Sequence, residues 1–307
     1  MDSHFRGSVA LLLAAFIWGT ALAAQRVGME HIGPFAFNAA RFLIGAAVLL
    51  PIMVARKRCK ENPPAGGVSG VALAAAGGIC GLILFVTASL QQIGILYTSA
   101  GKAGFLTALY IVIVPGFELF RVRRLPWQTG CGVLVAAAGM YFLCIQETLA
   151  LGKGDALVLL CAVSTAAHIV LIGRIAPRVD GVKVSCIQFA VCGGLSLFVS
   201  VLLERPGWNG VFMAWVPIMY TGVLSCAVAY TLQTLGQRSV PPVVASLILS
   251  LESVFSVMAG WLLLGERFSA REGGGCVLIL AAIICVQMQD IWKKRESLSR
   301  GVAGAER

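Results

Sequence analysis

Four ionisable side chains interrupt long apolar stretches of this sequence, and they are the residues best placed for chemistry. They are Arg41, Lys102, His168 and Glu252. A charge near the centre of a lipid bilayer costs about 2.5 to 3.5 kcal/mol on insertion scales, so such residues normally face a protein interior and have a partner or a function. Glu252 is the only deeply placed carboxylate, which makes it the candidate to exchange a proton. The pattern predicts a polar, water-accessible cavity enclosed by apolar helices.

Aromatic and amide side chains accompany these four residues. A mostly apolar pocket with a few convergent polar groups is the usual form of a small-molecule site. The expected cavity wall consists of Arg41, Lys102, His168, Glu252, Trp18, Tyr110, Gln188, Tyr230 and Gln233. Three alternatives stay open. Arg41 and Lys102 could extend to the headgroups, Lys102 and Glu252 could form a structural ion pair, and His168 could be a hydrogen-bonded packing residue.

Composition indicates that lipid surrounds these residues. Of 307 residues, 58% are hydrophobic and 12% are charged, whereas soluble domains are about one quarter charged. The net charge of +10 comes from short Lys and Arg clusters between apolar runs. Because these clusters form no basic stripe with interleaved aromatics, nucleic acid is not an expected partner. The ten cysteines lack the paired spacing of metal ligands, and we expect neither a metal nor a cofactor.

Ten apolar stretches are long enough to cross a bilayer as helices. They lie near residues 8 to 25, 35 to 55, 68 to 90, 97 to 120, 127 to 146, 155 to 173, 184 to 203, 211 to 233, 241 to 264 and 273 to 290. The first could also be a cleaved signal sequence, because Ala21-Leu22-Ala23 resembles a signal-peptidase site. We expect it to be retained, since it pairs with the sixth stretch. Most Lys and Arg then lie on the side of both termini, which predicts cytoplasmic ends in a bacterial-type inner membrane.

The two halves of the chain resemble each other. A shift of 142 residues aligns Leu90-Gln91 with Leu232-Gln233 and Gly94 with Gly236, whereas shifts of 147 and 148 place Gly7 opposite Gly154 and Gly33 opposite Gly181. The expected domains are a five-helix repeat over 1–150, a second over 151–292 and a basic cytoplasmic tail over 293–307. An odd number of helices per repeat inverts the second half in the membrane. Inverted repeats are a recurrent plan of secondary transporters, although duplication could also have produced a larger bundle without transport.

Several motifs in both halves resemble the ten-helix EamA branch of the drug/metabolite transporter superfamily. They are Trp18-Gly19, Arg41-Phe42, the run from Thr98 to Thr107 leading to Pro115, Leu251-Glu252-Ser253-Val254-Phe255, and the run from Gly260 to Arg267. The resemblance implies an all-α membrane protein of ten helices in two inverted five-helix repeats. It also implies cytoplasmic termini and transport of metabolites, often as export. The first half departs from the pattern where Leu119-Phe120-Arg121 replaces the expected Gly-Glu-Arg.

These observations together predict a secondary transporter that moves a small amino-acid-like or amphipathic metabolite outward by alternating access. A channel is one alternative, but no repeated polar filter is visible. A multidrug-efflux protein is another. An intramembrane enzyme is less favoured, because His4, His31 and His168 are far apart and no catalytic motif is present.

Overall fold

The computed structural model describes residues 3–58, 69–97, 100–122, 126–144, 152–204, 208–264, 269–271 and 273–286. Every regular element within these ranges is helical. The helices are α1 (Ser3–Gly28), α2 (Pro34–Arg58), α3 (Gly70–Ile95), α4 (Ala100–Ala108), α5 (Tyr110–Val122), α6 (Trp127–Cys144), α7 (Lys153–Ile175), α8 (Gly181–Leu203), α9 (Trp208–Met213), α10 (Trp215–Tyr220), α11 (Thr231–Gly236), α12 (Pro242–Leu249), α13 (Leu251–Leu264) and α14 (Gly273–Val286). A π-helical segment, Thr221–Tyr230, joins α10 to α11.

The described helices have the length and hydropathy of a multi-pass membrane protein. Seven helical runs in these ranges are apolar and long enough to cross a bilayer, two of which join consecutive helices, namely Trp215–Gly236 and Pro242–Ala259. Three shorter apolar helices are Leu106–Leu119, Thr129–Phe142 and Gly273–Val286. Each of the ten predicted stretches overlaps one of these helices.

Several predicted helix ends were wrong by a few residues, including both ends of the first stretch, where α1 extends from Ser3 to Gly28. The third stretch continues to Ile95 instead of residue 90, and the eighth continues to Gly236 instead of residue 233. In the third stretch, Gln91 and Gln92 are polar and suggested a boundary, yet Gln92 is fully buried inside α3. A polar residue that faces the bundle interior does not end a membrane helix.

Local sequence explains several of the helix starts. The carboxylate of Asp180 accepts hydrogen bonds from the backbone N–H groups of Val182 and Lys183, at 3.0 and 3.4 Å, and thereby caps α8. Pro242 is the first residue of α12, where its missing N–H costs no helical hydrogen bond. Helix α7 begins at Lys153, directly after the N-cap residue Gly152.

Glycines allow close approach of α8 to its neighbours. A Cβ on Gly77 would lie 2.8 Å from Ile187, and one on Gly81 would lie 2.7 Å from Val191. Gly77 and Gly81 therefore let α3 pack closely against α8. Helix α8 also packs along α2 in the opposite direction, since Glu204 bonds to Phe35 near the start of α2 whereas Cys186 lies against Ala46.

Two glycine contacts match each other across the halves. A Cβ on Gly236 would lie 2.8 Å from the carbonyl oxygen of Gly7, where α11 meets α1. A Cβ on Gly94 would lie 3.3 Å from the carbonyl oxygen of Gly154, where α3 meets α7. These are the glycines that the sequence alignment pairs, Gly94 with Gly236 and Gly7 with Gly154. Equivalent helices of the two halves therefore pack through equivalent glycines.

Candidate functional site

A cavity lies inside the bundle, and residues from both halves line it. It has a volume of about 60 Å³. Most of the predicted wall is present, namely Trp18, Arg41, Tyr110, His168, Tyr230, Gln233 and Glu252. The lining also contains residues that the sequence analysis did not select, namely Gln25, Leu84, Thr87, Gln91, Thr107, Thr165, Ile169, Ser225 and Leu249.

The other two predicted residues do not line the cavity among the described side chains. Gln188 lies behind the wall, where its Oε1 is 3.0 Å from Nε2 of His168. It therefore contacts the cavity only through His168. Lys102 belongs to α4, but its side chain lies outside the described residues.

Arg41 points into the protein and not toward a headgroup. Its side chain is 4% exposed. Nε donates to Oδ1 of Asn38 at 3.0 Å, and Nη1 donates to Oε1 of Gln25 at 2.8 Å. The guanidinium also lies 4.7 Å from the ring centroid of Phe42, a favourable arrangement for a cation. For Arg41 the snorkelling alternative is therefore wrong.

An aromatic layer, formed by Trp18, Phe42, Phe189 and Tyr230, crosses the bundle beside the cavity. Tyr230 lies at its centre, with ring centroids 4.7 Å from Trp18, 6.3 Å from Phe42 and 5.6 Å from Phe189. Trp18 is fixed further, because its Nε1–H donates to the carbonyl oxygen of Ser225 at 3.2 Å. The layer gives the cavity a rigid apolar wall with ring faces for a small ligand.

Two matched polar groups flank the aromatic layer. Arg41 is the eighth residue of α2 and Gln188 the eighth residue of α8, and each is followed by a phenylalanine of the layer. Each bonds to a side chain of the preceding long helix, Arg41 to Gln25 on α1 and Gln188 to His168 on α7. We call Gln25, Asn38 and Arg41 the first polar group, and His168, Ser185 and Gln188 the second.

Glu252 is in the first turn of α13. Ser250 interrupts the helix just before it, between α12 and α13. A carboxylate at this place interacts favourably with the positive end of a helix dipole. Glu252 lines the cavity, and no described side chain donates a hydrogen bond to its carboxylate. The ion pair with Lys102 stays a prediction, because the side chain of Lys102 lies outside the described residues.

Contacts between helices cross the bundle beyond one end of the cavity, which we call its closed end. Nε2 of the buried Gln237 donates to the carbonyl oxygen of Ile169 at 3.0 Å, which ties the end of α11 to α7. At the same end, Arg174 on α7 lies 3.5 Å from Glu118 on α5. Arg121, three residues after Glu118 in the sequence, has a side chain that lies outside the described residues. The contact with Arg174 is between helices and is not visible in sequence spacing.

Comparison with known proteins identifies the family. The model of the EamA-like transporter family matches residues 5–145 and again residues 152–288. The chain belongs to the EamA-like transporter family. It is therefore a multi-pass membrane transporter of the drug/metabolite transporter superfamily, whose members act on small molecules.

Relatives of this EamA-like transporter come from several kingdoms. An uncharacterized transporter of Archaeoglobus fulgidus is 28% identical over 91% of this chain and 85% of its own length. A chloroplastic WAT1-related protein of Arabidopsis thaliana is 26% identical over 91% of this chain and 69% of its own length. A solved protein crystal structure has a TM-score of 0.75 at 20% identity, covering 92% of this chain and 96% of that chain. This structural likeness shows the fold alone.

The motifs of this EamA-like transporter meet in space. Gly19 of the Trp-Gly motif lies directly against the segment that carries Glu252, since a Cβ on Gly19 would be 2.6 Å from the carbonyl oxygen of Glu252 and 2.7 Å from Phe255. Glycine at this position therefore lets α1 approach α13 beside the cavity. Trp18 and Glu252 both line that cavity, so two motifs that are distant in sequence form adjoining parts of one wall.

Proposed function

We propose that this EamA-like transporter is a secondary carrier that works by alternating access. Its proposed architecture has ten transmembrane helices, with a first repeat over 1–150, an inverted second repeat over 151–292 and a cytoplasmic tail over 293–307. The observation that carries the proposal is the pair of matched glycine contacts, between Gly7 and Gly236 and between Gly94 and Gly154. Two similar halves around one cavity can exchange conformations, and this exchange exposes the cavity to each side of the membrane in turn.

The direction of the helices supports inversion of the second half. Equivalent helices α2 and α8 pack antiparallel, with Phe42 and Phe189 at 5.9 Å where they cross. The two glycine contacts behave alike, because α1 packs antiparallel to α11 and α7 packs antiparallel to α3. Parallel repeats would place α2 and α8 side by side in the same direction. The antiparallel crossing is what a two-fold axis in the membrane plane requires.

The proposed orientation places both termini in the cytoplasm of a cell bounded by a bacterial-type inner membrane. At the closed end of the cavity, the turn between α7 and α8 and the residues around it carry Arg174, Arg178, Lys183 and Arg238. Basic residues concentrate on the cytoplasmic side of membrane proteins. The closed end is therefore the cytoplasmic end, and the cavity faces outward in this conformation.

The proposed cargo is a small amino-acid-like or amphipathic metabolite, moved outward. The cavity offers a cation at Arg41, an acid at Glu252 and aromatic rings at Trp18 and Tyr230. Such a wall suits a molecule with a polar end and an apolar body. A cavity volume of about 60 Å³ favours a compact metabolite over a bulky drug in this conformation.

Glu252 is the proposed proton carrier. It is an acidic side chain on the cavity wall, and an intramembrane carboxylate that alternates between two aqueous sides can carry a proton with each cycle. Proton entry from outside would then drive cargo out.

Counterflow in proteoliposomes tests the carrier proposal. Vesicles loaded with one unlabelled amino acid at a time would be given a trace of the same labelled compound outside. A carrier gives saturable uptake that the internal compound stimulates, because each cycle returns with cargo. Unsaturable flux with single-channel conductance would instead show a channel.

A pair of tyrosine variants locates the transported molecule. Tyr230→Ala removes the ring at the centre of the aromatic layer and should raise the half-saturating concentration at least about tenfold, the ratio that corresponds to 1.4 kcal/mol. The control is Tyr141→Ala, since Tyr141 lies on the outside of the bundle at 38% exposure. Equal effects of both variants would contradict the placement of the cargo beside Tyr230.

A further inference from the structure

We infer that Arg41, with Asn38 and Gln25, forms a seat for a carboxylate group, and that the cargo is a small molecule carrying one carboxylate. The inference rests on the proposed carrier function and adds the chemistry that the cargo must have. Asn38 and Gln25 were not among the residues selected from the sequence.

The first argument is an incompletely neutralised cation. The Arg41 side chain is 4% exposed, and its described hydrogen-bond partners are the neutral amides of Asn38 and Gln25. Among the residues that the structure describes, no carboxylate pairs with it. A buried charge is stable only with a partner of opposite charge or with water. Arg41 lines the cavity, so an anionic group that enters there can provide that partner.

The second argument is an unused donor beside the cation. Asn38 is fully buried, and its Nδ2 has no hydrogen-bond partner among the described residues. The orientation of this amide is fixed, because Nε–H of Arg41 requires the oxygen, Oδ1, as its acceptor. The NH₂ group is therefore the free end. Asn38 does not itself line the cavity, but its amide contacts Arg41, which does. The N–H groups of both side chains are donors, and a carboxylate offers only acceptors in return.

The third argument is the difference between the two polar groups. In the second group, Gln188 and Ser185 occupy the places that Arg41 and Asn38 occupy in the first, and no residue of the second group is a permanent cation. Gln188 still bonds to His168 and precedes Phe189, as Arg41 bonds to Gln25 and precedes Phe42. A glutamine can therefore fill this place in the fold. The charge of Arg41 is what distinguishes the first group.

Glu252 lines the same cavity as Arg41 and limits the cargo to a single carboxylate group. A second carboxylate on a compact molecule would lie in the same small cavity as Glu252, and two like charges in a low-dielectric site repel strongly. A cargo with its carboxylate at Arg41 and an apolar or cationic remainder beside Trp18, Tyr230 and Glu252 avoids that repulsion. Monocarboxylates and zwitterions both satisfy this condition, whereas dicarboxylates do not.

The test compares acids with their primary amides, which share shape but lack the negative charge. The probes are leucine and leucinamide, phenylalanine and phenylalaninamide, and isovalerate and isovaleramide. Binding is measured by thermal stabilisation of the purified protein, since a ligand stabilises the state that it binds. In the wild type, at least one acid should bind about tenfold or more tightly than its amide, as expected for a hydrogen-bonded charge pair.

The chain provides its own matched variants. Arg41→Gln introduces the residue found at the same place in α8, and the ratio of acid to amide affinity should fall to near one while amide binding remains. Asn38→Ser introduces the residue of the second group and should lower the ratio a few-fold. Arg26→Gln is the control. It removes one exposed positive charge next to Gln25 at the end of α1, and it should leave the ratio of acid to amide affinity unchanged.

The unfolding temperature of the ligand-free protein shows whether Arg41 serves ligand binding or the stability of the fold. If Arg41 serves the cargo, Arg41→Gln removes a poorly neutralised buried charge and should unfold at the same temperature as the wild type or higher. A lower midpoint together with an unchanged acid preference would make Arg41 structural and overturn the inference. Equal binding of acids and amides by the wild type, or binding of neither, would also overturn it. Saturable counterflow of some other compound would then leave the carrier proposal standing, whereas a lack of saturable counterflow would contradict the carrier itself.

Discussion

Alanine at Gly94 and alanine at Gly236 should destabilise this transporter by similar amounts, because the two glycines occupy equivalent contacts in the two halves. A Cβ on Gly94 would lie 2.6 Å from Cγ2 of Val158, and a Cβ on Gly236 would lie 2.7 Å from Cγ of Leu11. Carbon atoms in contact are normally about 3.5 to 4.0 Å apart, so each pair of helices must separate by about 1 Å. Overpacking of this kind costs about 1 to 3 kcal/mol.

The assay is thermal or denaturant unfolding of the purified protein, with both variants measured beside a control glycine on α3, the helix that carries Gly94. Gly78 is suitable, because a Cβ there would meet no atom within 4 Å. Gly78→Ala should be neutral or stabilise the protein by up to about 1 kcal/mol through helix propensity. The double variant of Gly94 and Gly236 should show the sum of the two single effects, since the contacts share no residue.

Relief of the clash provides a stricter test. Val158→Ala should rescue part of the loss in Gly94→Ala, and Leu11→Ala should rescue part of the loss in Gly236→Ala, with coupling of about 0.5 to 3 kcal/mol. If Gly236→Ala behaved like Gly78→Ala while Gly94→Ala was destabilising, the two contacts would not be equivalent, and the reasoning from matched halves would fail.

Three further predictions concern the transport cycle and the membrane topology. Glu252→Gln should keep counterflow but lose accumulation driven by a pH gradient, and an unchanged dependence on that gradient would remove Glu252 as the proton carrier. Gln237→Ala removes the hydrogen bond to Ile169 at the closed end of the cavity. Thiol labelling of a cysteine placed at Ser225 should then increase from the cytoplasmic side. Unchanged labelling would show that this hydrogen bond does not keep that end closed. A reporter protein fused after Arg307 should be located in the cytoplasm, and a reporter signal from the outer side of the membrane would contradict the proposed topology.

Apolar length and glycine spacing made most of the fold predictable. Membrane helices need enough apolar residues to cross the bilayer, and that requirement is visible without any tertiary information. The pairing of Gly94 with Gly236 was also visible, because both positions allow a close helix approach and tolerate no side chain. The exact helix ends were less predictable, since Gln92 is polar yet buried within α3.

Irregular backbone could not be predicted from local sequence. The π-helical segment Thr221–Tyr230 and the break at Ser250 depend on hydrogen bonds that shift by one residue. Such shifts are selected by contacts with other helices, as when Ser225 accepts the indole N–H of Trp18. The residues of the segment are ordinary for a membrane helix, so they carry no signal of the change.

The candidate site was predictable where its residues are conspicuous against an apolar background. Arg41, His168 and Glu252 stood out because a buried charge or imidazole is costly. Gln25 and Asn38 did not, because neutral polar residues near the ends of a predicted stretch suggest only a boundary. The interval of three residues between Asn38 and Arg41 was the available signal, since it places both side chains on one helix face.

Labelling of two equivalent loops tests the inverted architecture most directly. His31, in the turn between α1 and α2, and Arg178, in the turn between α7 and α8, are both exposed. Each would be replaced by cysteine in a cysteine-free background and treated with a membrane-impermeant thiol reagent in intact cells. The inverted repeat predicts that the cysteine at position 31 reacts in intact cells and that the cysteine at position 178 reacts only after permeabilisation. Reaction of both from the same side would contradict it.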